Sequence, residues 1–191
     1  MKKVFIYLFN GYSDWEIAYL TPEINKNDQF ELVYFSNEAE KVTSMGGLVV
    51  EPDISINEVK VDDIDLLILP GGTSWETEEN SAIKNLIQKV HTEDKTIAAI
   101  CAATCCLAQL GILNNIAHTS NALEYLKAIA PDYSGEKTYK NELVVTDSNV
   151  ITACGIASIE FAKDVFKAIN LYPDEQIEDW FQLFKHGIWK G

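Results

Sequence analysis

Cys101 stands where an apolar run, Thr96 to Ile100, gives way to an alanine-rich, helix-like segment, and this junction carries the most chemical meaning in the chain. A nucleophile on so sharp a strand-to-helix turn needs small residues two positions before and after it, because larger ones collide as strand and helix pack. Ala99 and Ala103 meet that requirement. A thiol at a helix N-terminus also has its anion stabilised by unpaired N–H groups and the positive end of the helix dipole. The competing reading is a structural thiol buried at the helix start, since free cysteine is among the most buried residue types.

Other residues converge on the same edge. Pro70-Gly71-Gly72 follows the apolar run Leu66 to Leu69. Such a turn either aims backbone N–H groups, with that of Ala102 at the elbow, toward a developing oxyanion, or is a simple tight turn. Glu16 falls early in the helix expected after the first strand. If it approaches Cys101 it stays protonated and donates a hydrogen bond to the sulfur; by itself, an acid there pairs with solvent or the helix dipole. Cys154 opens the loop after the last core strand, where it is either a small buried residue or a partner that resolves an oxidised Cys101 as a disulfide. Cys105 and Cys106 read as core thiols. The cysteine and histidine spacings do not make a zinc site, and no glycine-rich phosphate loop is present, so neither a metal nor a nucleotide cofactor is expected.

The elements that must position these residues follow from periodicity. Val4 to Phe9, Phe30 to Phe35, Leu66 to Leu69 and Ile97 to Ile100 are near-continuous apolar runs, as expected of strands buried on both faces. Helical patterns lie between them, over Asp14 to Ile24, capped by Ser13 or Asp14, and over Ser81 to Val90. Strand and helix in alternation predict an α/β fold with a mainly parallel sheet. Val42 to Val50, with Gly46-Gly47, reads as a small hairpin. A helix from Cys101 should end near Leu110, with Gly111 in the left-handed position. A short strand over Ile116 to Thr119, a helix over Ala122 to Ile129 and a strand pair, Leu143 to Thr146 with Val150 to Ala153, follow. Ile156 to Ile169 is the last core helix, and Asp174 to Trp189 carries an aromatic stripe that the body or a second subunit must cover.

The chain has 191 residues, 47% hydrophobic and 23% charged, which fits one globular domain, 1–191, with 174–191 as a helical extension. With 15 Lys+Arg against 29 Asp+Glu the net charge is -14, so nucleic acids and anionic membrane surfaces are poor partners. No apolar run approaches the roughly 20 residues of a membrane-spanning helix. Met1-Lys2-Lys3 and the short run behind it read as a first strand without a cleavage pattern. Four cysteines, two of them adjacent on a helix, suit reduced thiols in a cytoplasm.

Four segments together resemble the ThiJ/PfpI family, over most of the chain: Val4 to Phe9 with Gly11 and Glu16, Asp65 to Gly72, Ala99 to Ala103, and Ile151 to Gly155 leading into Glu160-Phe161-Ala162. The resemblance implies a flavodoxin-like three-layer sandwich, a homodimer, and a reactive Cys101 hydrogen-bonded to a protonated Glu16. It implies action on a small electrophilic substrate, as an oxoaldehyde hydratase or deglycase-like hydrolase or lyase. The alternatives are a non-catalytic cysteine-oxidation sensor or chaperone-like stress protein, and an isonitrile hydratase-like enzyme. Peptidase-like members carry a histidine directly after the nucleophile, where this chain has Ala102, and amidotransferases use a late His-x-Glu pair, which His186 does not supply. The oxoaldehyde branch places a histidine after the nucleophile helix. Here His118 falls one residue short of that place, which Thr119 fills, and a one-residue shift turns a strand side chain to the other face. His118 is therefore expected either as a general base or acid reaching Cys101, where the strand ends, or as a strand-end histidine bonded to nearby backbone.

Overall fold

The structure, a computed structural model, describes residues 1–190. A seven-stranded sheet of order β5-β2-β1-β6-β7-β9-β8 forms the centre. Its strands are β1 (Lys2–Tyr7), β2 (Phe30–Ser36), β5 (Ile54–Ser55), β6 (Leu66–Leu69), β7 (Thr96–Ile100), β8 (Val144–Asp147) and β9 (Val150–Ala153). All neighbours run parallel except β8, which pairs antiparallel with β9. The apolar runs read as strands buried on both faces because they are: β6 is buried along its whole length, and β7 is buried from Ile97 onward. The hairpin is also present, as β3 (Val42–Thr43) against β4 (Val49–Val50), pinned to the first loop where Met45 N–H donates to Tyr12 O.

The helices are α1 (Leu20–Asn25), α2 (Lys84–Thr92), α3 (Ala103–Gln109), α4 (Leu123–Ile129), α5 (Ser158–Ile169) and α6 (Asp174–His186). α1 packs with α5 and α5 with α6; α3 packs with α4. α3 stops where expected, with Gly111 at φ 72°. α6 lays Ile177 and Trp180 on the body, with the Trp180 ring 4.8 Å from Phe166, so the protein itself covers much of the aromatic stripe, while Phe184, Ile188 and Trp189 stay exposed.

Three expectations are corrected. The helix over Asp14 to Ile24 is a 3-10 turn, Asp14–Glu16, followed by α1. Pro22 explains the break, because in a continuous helix its ring would strike the carbonyl of Ala18. Neither expected cap forms: Ser13 makes no capping bond, and the Asp14 carboxylate accepts from the Ser44 hydroxyl at 2.8 Å. The helix from Ser81 opens instead as a 3-10 segment, Glu78–Ile83, kinked at Asn80. Ile116 to Thr119 forms no strand beyond one bridge, His118 to Tyr139. His118 alone makes backbone ladder bonds, to Thr138 O and from Lys140 N–H, and side chains satisfy the residues on either side, with Ala117 N–H on Asp147 Oδ2 at 2.7 Å and Thr119 N–H on Thr152 Oγ1 at 2.9 Å.

No helix among the described residues is long and apolar enough to cross a membrane. Phe166, fully buried between α5 and α6, is the joint that seats the C-terminal helix. Phe166→Ala is expected to cost about 4 kcal/mol in urea unfolding. Phe166→Ala combined with Trp180→Ala should cost less than the two single changes added, since both remove one contact.

Candidate active site

Cys101 sits at φ 60°, a left-handed value that costs a residue with a side chain roughly 1–2 kcal/mol. The surroundings impose it. Cys101 N–H extends the sheet ladder to Ala153 O at 2.9 Å, and Cys101 O accepts from the Thr104 hydroxyl at 2.6 Å. The residue is thus held at both peptide groups, with its sulfur at the carboxyl edge of β7, the edge at which open parallel sheets bind ligands.

Glu16 is fully buried against it. Its Oε2 accepts from Gly71 N–H at 2.6 Å, while Oε1 has no hydrogen-bond partner and faces Gly155 and the thiol. Two glycines make the meeting possible. A Cβ on Gly71 would lie 2.6 Å from Cys101 Cβ and 2.8 Å from Glu16 Oε2, and one on Gly155 would lie 2.8 Å from Cys101 Sγ. No other residue fits at either place without pushing thiol and carboxyl apart. The glycine turn is fixed from behind, where Trp75 Nε1 donates to Pro70 O at 2.8 Å.

Burial pushes the Glu16 carboxyl up to about 7, against the pull of Gly71 N–H, Cys101 and Ser13. Burial pushes the Cys101 thiol up as well, to about 11, and the charge of Glu16 adds to the rise, opposed by Asn121 and the Ala102 N–H. The helix N-terminus therefore does not give the lowered thiol that its position suggests, because desolvation and the carboxylate outweigh it. The two acids behave as a pair: a thiolate is tolerated when Glu16 holds a proton.

Asn121 completes the site and was not singled out by the sequence. Its Nδ2 donates to Cys101 Sγ at 3.3 Å and its Oδ1 accepts from Gly155 N–H at 2.9 Å, so one amide orients both the sulfur and the glycine packed on it. Trp15 reaches over the same glycine, its indole N–H 3.4 Å from Gly155 O.

The remaining candidates fall out differently. The structure does not bring the His118 ring to Cys101. The residue is fully buried, Nδ1 lies 2.8 Å from Ile116 O, and Nε2 lies 2.6 Å from the Tyr133 hydroxyl. A carbonyl only accepts, so Nδ1 carries the proton and Nε2 takes the Tyr133 proton. Burial lowers the ring's pKa, and this neutral tautomer has no lone pair left to offer. The Gly71 N–H is committed to Glu16, and the Ala102 N–H turns to the Cys101 sulfur. Gly72 packs against Gly11 O and the Phe9 ring. Cys154 donates its N–H to Leu143 O, all four cysteines are free thiols, and the residue of that loop placed on Cys101 is the next one, Gly155. Among the described residues no three His, Cys, Asp or Glu side chains gather as metal ligands would.

The chain and its fold have counterparts among known proteins. The sequence profile described as the DJ-1/PfpI family matches residues 2–168. A protein of Bacillus subtilis named as an uncharacterized protease, YoaZ, is 38% identical over 191 residues, covering 96% of this chain and 91% of its own. A protein of Thermococcus kodakarensis named as a deglycase is 31% identical over 119 residues, covering 62% of this chain and 71% of its own. The crystal structure of a thiJ/pfpI family protein from Bacillus anthracis superposes with a TM-score of 0.92 at 42% identity, covering 98% of this chain and 92% of that one. With the fold and residues 2–168 in agreement, the chain belongs to the DJ-1/PfpI family.

Proposed function

We propose that the protein is a cysteine-dependent enzyme in which Cys101 adds to a small electrophilic carbon, an α-oxoaldehyde being the substrate class that fits best. The observation that carries this reading is the buried Glu16 carboxyl set against a thiol on a strained elbow. Near pH 7 a carboxyl titrating at about 7 both gives and takes a proton. The sulfur bonds to the aldehyde carbon, the carbonyl electron pair moves to oxygen, and that oxygen takes a proton, giving a hemithioacetal. Glu16 then carries a proton from the former aldehyde carbon to its neighbour while the hydroxyl proton passes to the former ketone oxygen, leaving a 2-hydroxy thioester, and water adds to this and releases a 2-hydroxy acid and the Cys101 thiol. Asn121 Nδ2, 3.3 Å from the sulfur, is the side-chain donor at hand for the developing oxyanion. The deglycase name of the Thermococcus relative agrees with this class. Proteolysis, the name given to the Bacillus subtilis relative, is disfavoured because Ala102 stands where peptidase-like members have a histidine.

The second reading, a cysteine-oxidation sensor, is favoured by one observation: the ring of His118 is spent on Ile116 and Tyr133, which leaves the thiol without an imidazole. A homodimer is supported by the exposure of large apolar side chains on the hairpin and on the loops beside the thiol, Trp15, Met45, Leu48, Val49 and Ile156. A small-molecule substrate and a cytoplasmic setting complete the proposal.

Lactate release from methylglyoxal, followed in wild type, Cys101→Ala and Asn121→Ala, tests the first reading. Wild type should turn over, Cys101→Ala should not, and Asn121→Ala should lose on the order of 100-fold in kcat, the scale for one oxyanion donor. Absence of Cys101-dependent turnover with gain of oxygen at Cys101 under mild peroxide would replace the enzyme by the sensor. In Glu16→Gln the carboxylate charge that raises the thiol is gone, so the pH midpoint of iodoacetamide alkylation at Cys101 should move down by about one unit or more; an unmoved midpoint would separate the two groups electrically. Light scattering of Leu48→Glu should give a monomer where wild type gives a dimer.

A further inference from the structure

A cavity opens at the carboxyl ends of β1 and β2, apart from the thiol, with a volume of about 230 Å³. Tyr7, Asn37, Ser74 and Asn80 line it. Its floor is aromatic, the Tyr7 ring lying 5.5 Å from that of Phe9, with Trp75 packed on Tyr7 at 5.9 Å. The kink in the 3-10 segment places Asn80 here, 97% buried by a relative exposure of 3%, and its Nδ2 has no hydrogen-bond partner. A buried amide donor left unpaired costs free energy comparable to a lost hydrogen bond, so the pocket is one acceptor short as it stands.

The neighbouring groups define what would fill it. The Tyr7 hydroxyl lies 2.9 Å from Asn37 Oδ1 and 3.2 Å from Asn80 Oδ1, but its single proton serves one of them. Turning the Asn80 amide over would give Tyr7 a donor and put Oδ1 where Nδ2 stands, so the group required there would become a donor. A hydroxyl group meets either need. At the rim, Glu38, Glu40 and Glu79 face the single cation Lys41, which is itself paired with Glu51 at 3.7 Å. Three carboxylates against one shared ammonium turn anions away. Ser74 donates to Glu79 Oε2 at 2.7 Å and holds that acid at the mouth.

We propose that this cavity is a binding site for a small uncharged polyhydroxyl compound, with Asn80 and the less buried Asn37 reading its hydroxyl groups and Tyr7 holding the two amides from behind. The site shares a wall with the thiol's loop, because the Phe9 ring that floors the pocket is also what a Cβ at Gly72 would strike, at 2.8 Å. The proposal does not depend on the chemistry of Cys101.

Ribitol is the probe, since it has no carbonyl and cannot react at Cys101, and ribonate is its anionic counterpart. In a titration of the intact protein read by NMR, ribitol should shift the side-chain amide signals of Asn80 and Asn37 along a saturable curve, and ribonate should not. Asn80→Leu should weaken ribitol binding by about tenfold or more, the scale of one hydrogen bond. Ser74→Ala, a milder change at the mouth, should weaken it too while the rest of the spectrum keeps its folded dispersion. Absence of saturation with ribitol, equal binding of ribonate, or ribitol binding unchanged in both variants would overturn the proposal.

Discussion

The structure depends on one close approach: a thiol and a carboxyl must touch inside a sheet edge that excludes water. Gly71 and Gly155 stand on either side of that contact, and each is a glycine because a methyl group would occupy the space of the sulfur or the carboxyl oxygen. Much of the surrounding architecture serves this approach. The β7–β9 ladder runs one step past β7 to catch Cys101 N–H, Thr104 catches its carbonyl, and the Trp75 indole fixes the glycine turn through Pro70. Backbone strain at φ 60° persists because these bonds leave the residue no alternative.

The polar groups around the contact divide into those that face it and those that build the wall. Asn121 faces it, spending one amide on two partners, the sulfur and Gly155 N–H. His118, only three residues earlier, belongs to the wall: its ring is wedged among Tyr133 and Tyr139, and the two nitrogens are satisfied locally. A strand ladder would have set these side chains by alternation. Here the backbone on either side of His118 is tied down by Asp147 and Thr152 instead, which frees consecutive residues to point where their own bonds take them.

Those differences explain what could be read from the chain. The parallel strands were legible because burial on both faces leaves nothing but apolar residues, and Cys101 because a strand end and small neighbours mark an elbow, whereas its pairing with Glu16 came from the family resemblance. Pro22 was visible too, and its clash with Ala18 is enough to split the first helix, yet the apolar spacing outweighed it in the reading. Asn121 left no periodic signal, since it reaches Cys101 across a turn 20 residues further on. The need for glycine at 155 is a matter of what packs there, which spacing does not express. His118 was weighed by alignment to a resemblance, and alignment is silent on a tyrosine fifteen residues later that claims its ring.

Burial pushes the Glu16 carboxyl up to about 7, so its proton is held into the range around neutrality. Ordinary glutamates are fully ionised there, so their occupancy hardly responds to the medium. Glu16 is instead raised by burial toward the neutral range, where a protonated form able to donate and an ionised form able to accept both come within reach. The proton exchange that such sites commonly assign to an imidazole falls here to a carboxyl, since the His118 ring is spent on Ile116 and Tyr133.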